Sequence, residues 1–341
     1  MNEQHVAVVG ATGYSGAELT AILAKHRFAE IAVLFSGSES GAVPFDAIHP
    51  SLAGCDGPNA QPFDSKVLFG SGADVVFLAT PNELSAQIAP LALQAKMRVI
   101  DLSGAYRLAD ARAYPAWYGF EHPAPELLES AVYGLTEWCD GELDRAKLVA
   151  NPGCYPTSIL LALKPLAPML AHDQPIVCDS KSGVSGAGKK KDLAYSFAEL
   201  SGNFKAYGIG KHRHEPEIRQ ELGLNGAPFT FVPHLLPTVR GILSTMYVSF
   251  AEPQTETSVR EAFAAKYAEA PFVRVRKPGD LPELKQVVGT PRADIGFVLL
   301  DAGKRAVVVS AIDNLLKGAA SQAIQNFNRM SGIDEREGLE R

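Results

Sequence analysis

His5-Val-Ala-Val-Val-Gly10-Ala-Thr-Gly13-Tyr-Ser-Gly16 is a short apolar run that breaks at three spaced glycines and then turns helical, with Ala17, Leu19, Ile22 and Leu23 on one face. Glycines at such a strand-to-helix turn permit a tight bend. They also let a diphosphate come close to the helix N-terminus, where N–H groups and the dipole favour an anion. The spacing is G-x-x-G-x-x-G rather than the commoner G-x-G-x-x-G, and a tight turn wants glycine with or without a ligand.

Working outward, further buried strands are expected at 31–35, 74–79 and 97–101, with a helix at 83–96 carrying Leu84, Ile88, Leu91 and Ala95. Strand and helix alternate, and the strands are apolar on both faces, as in a parallel doubly wound sheet. This α/β part is read as a Rossmann-like dinucleotide domain. The rhythm is lost over 102–146 and returns at 148–151, which runs into Asn151-Pro-Gly-Cys154 and a helix to about 166. Beyond it, strands are expected at 229–235, 241–250, 272–276, 294–300 and 305–312, with one clear amphipathic helix at 258–268. That pattern reads as a mixed sheet in an α+β domain. A last helix is expected at 315–330, with Gly318, Ala319, Ala320 and Ala323 on its inner side. The expected division is 1–150 plus 315–341 for the dinucleotide domain and 151–314 for a catalytic and oligomerisation domain.

The chain has 341 residues, and its 32 basic against 38 acidic side chains give a net charge of −6. Bulk electrostatics gives no support for nucleic-acid or anionic-membrane binding. No run reaches 18 apolar residues, so no spanning helix is expected. The N-terminus shows no signal-peptide pattern. Cys55, Cys139, Cys154 and Cys178 are too scattered for a C-x-x-C pair and too few for a disulfide scaffold, which suits a reduced cytoplasmic enzyme.

Two segments carry chemistry. The second strand ends in Phe35-Ser36-Gly37-Ser38-Glu39-Ser40, where an NAD enzyme usually has an acidic residue for the ribose. Nothing at Ser36 repels a 2′-phosphate, and the hydroxyls of Ser36, Ser38 and Ser40 can donate to one. Glu39 lies close and no Arg or Lys is present in the turn, so a plain polar loop is the alternative. Cys154 lies between a strand end and a helix start, where the dipole favours a thiolate. For Cys55, Cys139 and Cys178 a structural role is the default.

Several stretches together resemble the N-acetyl-γ-glutamyl-phosphate reductases of the semialdehyde dehydrogenase superfamily, over the whole chain. They are Gly10–Gly16, Asp101-Leu-Ser-Gly-Ala-Tyr-Arg-Leu108, Asn151-Pro-Gly-Cys-Tyr-Pro-Thr157, Ser182-Gly-Val-Ser-Gly-Ala-Gly188, Lys211-His-Arg-His-Glu-Pro-Glu217, Pro233-His-Leu-Leu-Pro-Thr-Val-Arg-Gly241 and Asp313-Asn-Leu-Leu-Lys-Gly-Ala-Ala320. The aspartate-semialdehyde dehydrogenases share the architecture and a cysteine, but not Cys-Tyr-Pro-Thr with His-Arg-His-Glu-Pro-Glu. The resemblance implies reduction of an acyl phosphate by NADPH to an aldehyde, with phosphate released, as a step of arginine biosynthesis. Cys154 would displace phosphate to give a thioester, which hydride reduces.

The same resemblance makes His212 or His214 the acid/base partner of Cys154, with His212 favoured and Glu217 orienting the ring or binding substrate. A His with an ordinary pKa near 6.5 suits that task. A metal site of His212, His214 and Glu217, or an unremarkable surface cluster, are the alternatives, and no metal is expected. Arg107 matches the family's phosphate-binding arginine and Arg240 one near the carboxylate, with Asn151 beside them; either arginine could instead be a surface residue. Expected cofactor contacts are Gly10, Thr12, Gly13, Tyr14, Ser15, Gly16, Ser36, Ser38, Thr80 and Pro81 in the first domain. Ser182, Gly183, Ser185, Gly186, Asn314 and Lys317 complete the set, the last two bordering the nicotinamide or else docking the last helix on the first domain. Lys189-Lys-Lys191 is a charge run that can steer anions, with a solvated face as the alternative. The family often has an arginine where Gly37 stands, which weakens NADP over NAD. A homo-oligomer, dimer or tetramer, is expected through the second sheet, whose open face needs cover. Rival readings are a reductase of aspartyl or aminoadipyl phosphate and a catalytically silent NADP-binding regulator.

Overall fold

The computed structural model describes residues 3–37, 41–189, 192–224 and 226–340. Ser38, expected at the cofactor, lies outside the described residues, as do Glu39, Ser40, Lys190 and Lys191. The chain divides into two compact units, Met1–Gly153 with Ala319–Arg341, and Cys154–Gly318. Both boundaries fall a few residues beyond those expected at 150 and 314. Asn151 stays with the first unit because its side chain donates to Ala319 O at 3.3 Å and accepts from Asn326 at 3.1 Å. Gly318 stays with the second because it packs on Cys154.

The first unit runs β1 (Gln4–Val9), α1 (Tyr14–Leu23), β2 (Ala29–Phe35), α2 (Phe45–Ile48), β3 (Ala60–Gln61), α3 (Ser65–Gly70), β4 (Val75–Leu78), α4 (Asn82–Gln94), β5 (Arg98–Asp101), α5 (Tyr114–Trp117), β6 (Val132–Tyr133) and β7 (Leu148–Ala150). Its seven strands lie in the order β3-β2-β1-β4-β5-β7-β6, every pair parallel. The Val/Leu/Phe runs of β1 and β4 are buried throughout their central residues because helices or loops cover both faces. The arrhythmic stretch after β5 does part of that covering: Tyr106, Leu108, Tyr114 and Leu128 enter the same core as Ala86 and Ala89 of α4. The order of the strands reverses at β1, so the glycine turn leaves the sheet at its switch point, where open α/β sheets bind ligands.

The second unit holds α6 (Cys154–Leu163), β8 (Ile176–Gly183), α7 (Phe197–Leu200), β9 (Lys205–Ala206), α8 (His214–Glu221), β10 (Phe229–Leu236), β11 (Ile242–Ser249), α9 (Glu256–Tyr267), β12 (Val273–Val275), β13 (Ala293–Leu300) and β14 (Arg305–Ile312). The mixed sheet has the order β12-β13-β14-β11-β8-β10-β9, with β12–β13 and β8–β10 parallel and the other pairs antiparallel. Strand β8 and helix α8 add to what periodicity suggested. Polar Asp179, Ser180 and Lys181 conceal the strand, and an eight-residue helix is too short to display a stripe.

The expected helix to 166 ends as α-helix at Leu163 and continues as 3-10 helix through Lys164–Met169, since Pro165 and Pro168 bring no N–H. Helix α6 lies on β11 and β14. There Ser180, Ser244 and Ser310 form one row across three strands of the buried face. Ser158 of α6 donates to Ser244 Oγ at 2.9 Å and to Ser310 Oγ at 3.3 Å, and Ser180 reaches Ser244 at 2.8 Å. Small hydroxyl side chains bring the helix close to the sheet and give its buried oxygens partners. The opposite face carries the cross-strand row Val177–Tyr247–Val307–Val298. After β14 the chain makes a π-turn at Leu316–Ala320 before α10 (Ser321–Met330). The last helix is therefore shorter than expected, and α10 returns to the first unit against α1 and β5.

Candidate active site

In the first unit the turn after β1 is built from backbone. Gly10 and Ala11 both donate to Phe35 O, at 3.0 and 2.8 Å, and Gly13 N–H closes the turn on Gly10 O at 3.1 Å. Gly10 has φ +90°, and a Cβ there would lie 2.3 Å from Ala79 O; one on Gly16 would lie 2.1 Å from Gly10 O. Both positions exclude side chains by contact, not only by conformation. Gly13 is the N-cap of α1 and brings no side chain to it, and a helix start of this kind suits an anion. Thr12 Oγ1 accepts from Gly37 N–H at 2.9 Å, which ties the glycine turn to the end of β2. Ser36 is buried beside it, and Tyr14 is exposed. Thr80 Oγ1 shares a hydrogen bond of 2.7 Å with Ser85, and Pro81 caps α4.

Arg107 and Asn151 also belong to this unit, and both are buried. Arg107 donates from Nε to Asn151 O and from Nη2 to Leu102 O, each at 2.8 Å. Two arms of the fork expected to hold phosphate thus hold the chain on its way into the Asn-Pro-Gly turn.

In the second unit Cys154 is the first residue of α6 and is partly exposed. Cys139 and Cys178 are buried and Cys55 is exposed in a loop, and burial pushes the Cys178 thiol well up. Gly318 lies against the nucleophile: a Cβ on it would come within 2.8 Å of Cys154 Cβ. Tyr155, next in sequence, places its hydroxyl 3.2 Å from that of Tyr207 and donates to His234 O at 3.1 Å. Burial raises both phenols, Tyr207 to about 12, and Cys154 adds to the effect at each.

His212 and His214 fall in a turn and at the first residue of α8, so neither a strand nor a helix reading of their spacing applies. Their rings still meet, with centroids 4.8 Å apart. His212 is further enclosed by Tyr155 and Tyr207, each at 5.6 Å, and Phe231 at 5.3 Å. Burial, with a smaller push from Arg213, lowers its pKa to about 4, so the ordinary value expected near 6.5 does not hold in this surrounding. Glu217 is fully buried one turn on. Among the described residues no group of three or more His, Cys, Asp or Glu is placed to hold a metal ion.

Arg240 is held by buried Asp313, with Nε 3.0 Å from Oδ2 and Nη2 3.1 Å from Oδ1. Asp313 also accepts the N–H groups of Gly289, Leu315 and Leu316, at 2.8, 2.8 and 3.1 Å. Sequence reasoning passed over this aspartate, although it heads the 313–320 segment. Asn314 accepts from Gly241 N–H at 2.7 Å and donates to Ser185 Oγ at 2.9 Å, which links three of the quoted segments. Ser182 and Ser185 are buried in that loop, with Gly183 buried and Gly186 exposed, and Lys317 is fully buried in the π-turn.

Two family models match the chain. One, described as the NAD binding domain of semialdehyde dehydrogenase, spans residues 5–146, and the other, the dimerisation domain of the same family, spans 154–314. The N-acetyl-gamma-glutamyl-phosphate reductase of Pelotomaculum thermopropionicum is 46% identical over 338 residues, 98% of this chain and 97% of that one. The enzyme of the same name from Geobacillus thermodenitrificans is 44% identical with the same coverage. Among solved structures, aspartate semialdehyde dehydrogenase II of Vibrio cholerae, complexed with ASA, matches with TM-score 0.72 at 17% identity, covering 97% of this chain and 99% of that one. The Candida albicans aspartate semialdehyde dehydrogenase with NADP matches with TM-score 0.68 at 16% identity and the same coverage. At such identities these two speak for the fold alone. Glycine turn, cysteine at a helix start and histidine pair thus stand in a chain that belongs to the N-acetyl-gamma-glutamyl-phosphate reductase family of semialdehyde dehydrogenases.

Proposed function

We propose that the chain reduces N-acetyl-γ-glutamyl phosphate to N-acetylglutamate 5-semialdehyde with NADPH, releasing phosphate, as a step of arginine biosynthesis. The observation that carries the reading is the partly exposed Cys154 as first residue of α6, with an aromatic-lined histidine pair in the same unit. The dipole of the helix start favours the thiolate. Its sulfur attacks the acyl carbonyl, the C–O bond to phosphate breaks, and the departing phosphate takes up the proton that the thiol released on ionising. When bound, the dinucleotide supplies the hydride that reduces the thioester. His212 is the imidazole assigned to the reacting carbonyl, with His214 and Glu217 supporting it. Arg240, kept in one orientation by Asp313, is assigned to the substrate carboxylate. Arg107 serves by shaping the turn around Asn151, and its guanidinium charge is assigned to phosphate.

Residues that fit the dinucleotide are Gly10, Thr12, Gly13, Tyr14, Ser15 and Gly16, since the turn excludes Cβ atoms where a diphosphate would approach. Ser36, Thr80 and Pro81 border it in the same unit, and Ser182, Gly183, Ser185, Gly186, Asn314 and Lys317 are the contacts proposed from the other. Preference for NADPH rests on Ser36 standing where an acidic residue would repel the 2′-phosphate. Four free cysteines fit a reducing cytoplasmic setting. A homodimer or tetramer would cover the open sheet face, where Tyr247 is 45% and Val298 40% exposed.

The test compares phosphate-dependent oxidation of N-acetylglutamate 5-semialdehyde with that of aspartate semialdehyde and of 2-aminoadipate 6-semialdehyde, each with NADP+ and NAD+. A kcat/KM at least about a hundredfold higher for the acetylated substrate supports the reading. Preference for another aldehyde, or no turnover at all, removes it.

A further inference from the structure

We propose that Asp101 is a positioning residue with two arms inside the first unit. Through Ser85 it fixes the direction of the Thr80 hydroxyl at the dinucleotide edge, and through Ser103 it holds the loop that carries Arg107. The proposal rests on the reductase reading above, which gives Thr80 to the cofactor and Arg107 to phosphate. Asp101 is the last residue of β5 and is fully buried. It stands at the carboxyl end of a parallel strand, the end at which such sheets bind ligands.

A carboxylate is costly to bury, and burial lifts the pKa of Asp101 against the donors of Ser103 and Ser85 and the charge of Arg107. Ser103 donates its N–H to Oδ1 at 3.0 Å and its hydroxyl to Oδ2 at 2.8 Å. Those two bonds alone make a local turn of the kind aspartate often closes. Two further groups come from outside that turn. Ser85, in the first turn of α4, hydrogen-bonds the same carboxylate, and Arg107 acts on it by charge.

The first arm has a direction. Carboxylate oxygens accept, so Ser85 gives its one proton to Asp101. The Ser85 oxygen then receives the Thr80 hydroxyl proton across 2.7 Å. With that proton committed, Thr80 Oγ1 has lone pairs to offer a ligand, so it suits a hydroxyl or amide donor of the dinucleotide rather than a phosphate oxygen. Thr80 lies beside the glycine turn, where its Cγ2 would be 3.5 Å from a Cβ at Gly10.

The second arm reaches both anchors of Arg107. Leu102 lies between the two residues that the carboxylate staples together, and its C=O accepts from Arg107 Nη2 at 2.8 Å. The main-chain O of Asp101 accepts from Asn151 N–H at 2.8 Å, and Asn151 O accepts from Arg107 Nε at 2.8 Å. One anchor is thus set by the side chain of Asp101 and the other by its backbone. Ser103 Oγ accepts from Ala105 N–H at 3.1 Å, and Gly104 N–H donates to Asn82 Oδ1 at 2.8 Å, which ties the same loop back to the start of α4. Asparagine at position 101 would set an amino group where an oxygen accepts, and a donor of Ser85 or Ser103 would then face another donor.

The experiment measures two constants and a melting temperature for Asp101→Asn, Ser85→Ala and Ser103→Ala in the full chain. One constant is the NADPH Kd by fluorescence titration. The other is the KM for inorganic phosphate in the oxidation of N-acetylglutamate 5-semialdehyde by NADP+. Asp101→Asn should raise both by about tenfold, while kcat at saturating phosphate falls by less than the KM rises. Ser85→Ala should raise the NADPH Kd at least about threefold and leave the phosphate KM within about twofold, and Ser103→Ala should do the reverse. A merely structural aspartate would lower the melting temperature and leave both constants of the folded enzyme unchanged. That result, an Asp101→Asn variant that moves only one constant, or a serine variant that moves the wrong one overturns the proposal. If Asp101→Asn does not fold, the two serine variants decide by the same readings. A parent enzyme that oxidises no semialdehyde in the presence of phosphate would remove the reductase reading and this proposal with it; normal turnover in the parent beside any of the contrary results removes only the role given to Asp101.

Discussion

The two sheets have seven strands each and do opposite things with them. The parallel sheet is covered on both faces, and what it presents at its switch point is backbone: the Gly10–Gly16 turn offers N–H groups and has no room for a Cβ at its two tightest positions. The mixed sheet is covered on one face by α6 and exposes the other, and the site proposed for its unit is one of side chains, Cys154, His212, Glu217 and Arg240, the last paired with Asp313. Binding a diphosphate needs many weak donors at fixed positions, which backbone supplies. Covalent chemistry needs a particular sulfur and a particular ring, which only side chains supply. Damage to the glycine turn should therefore appear as lost stability and lost cofactor together, and damage to the nucleophile as lost chemistry with the cofactor retained.

The sharpest way to break that contrast is Cys154→Ser. It is expected to lower kcat by at least about 10⁴-fold, because the hydroxyl is a far weaker nucleophile at neutral pH. Dinucleotide affinity, read by fluorescence titration, should stay within about twofold. Ordinary turnover in this variant would remove the thioester route.

Asp313→Ala tests whether the second unit has a structural side chain of the same weight. It leaves the Arg240 guanidinium half-buried without its carboxylate and three backbone N–H groups without an acceptor. Such a loss costs about 3–5 kcal/mol, to be measured by urea unfolding of the full chain.

Gly10→Ala sets a methyl group against Ala79 O in a left-handed backbone conformation. Strain and overpacking together predict a loss of about 2–4 kcal/mol, with dinucleotide binding lost at the same time. A variant that keeps full affinity would contradict the backbone reading of the turn.

The smallest effect belongs to Ser36→Asp. A carboxylate at the end of β2 should reduce the NADPH-to-NADH ratio of kcat/KM by about tenfold, through repulsion of the 2′-phosphate. An unchanged ratio would mean that the selectivity lies elsewhere.

Much of this was legible in the residues. The strands β1, β4 and β5 announce themselves because a sheet buried on both faces needs continuous apolar runs. Cys154 stands out because Asn-Pro-Gly before it breaks the strand and the helix must begin there. Strand β8 was not legible, because every second side chain faces the half-open side of the mixed sheet and Ser180 occupies a core position. Nor was the serine row, since Ser158, Ser180, Ser244 and Ser310 are far apart in the chain and only strand register aligns them.

What the sequence by itself determined is the set of local commitments: where glycine must stand, where the cysteine starts a helix, which runs can be buried. Those follow from steric and hydrophobic rules that act over a few neighbouring residues. What tertiary structure alone decided is how distant polar groups are spent. Arg107 is given over in part to Asn151 O and Leu102 O, Arg240 is tied to Asp313, and His212 is closed in by aromatic rings from α6, β10 and the segment before α8. A hydrogen bond or a pKa depends on which atoms lie within a few ångströms, and chain order does not carry that distance.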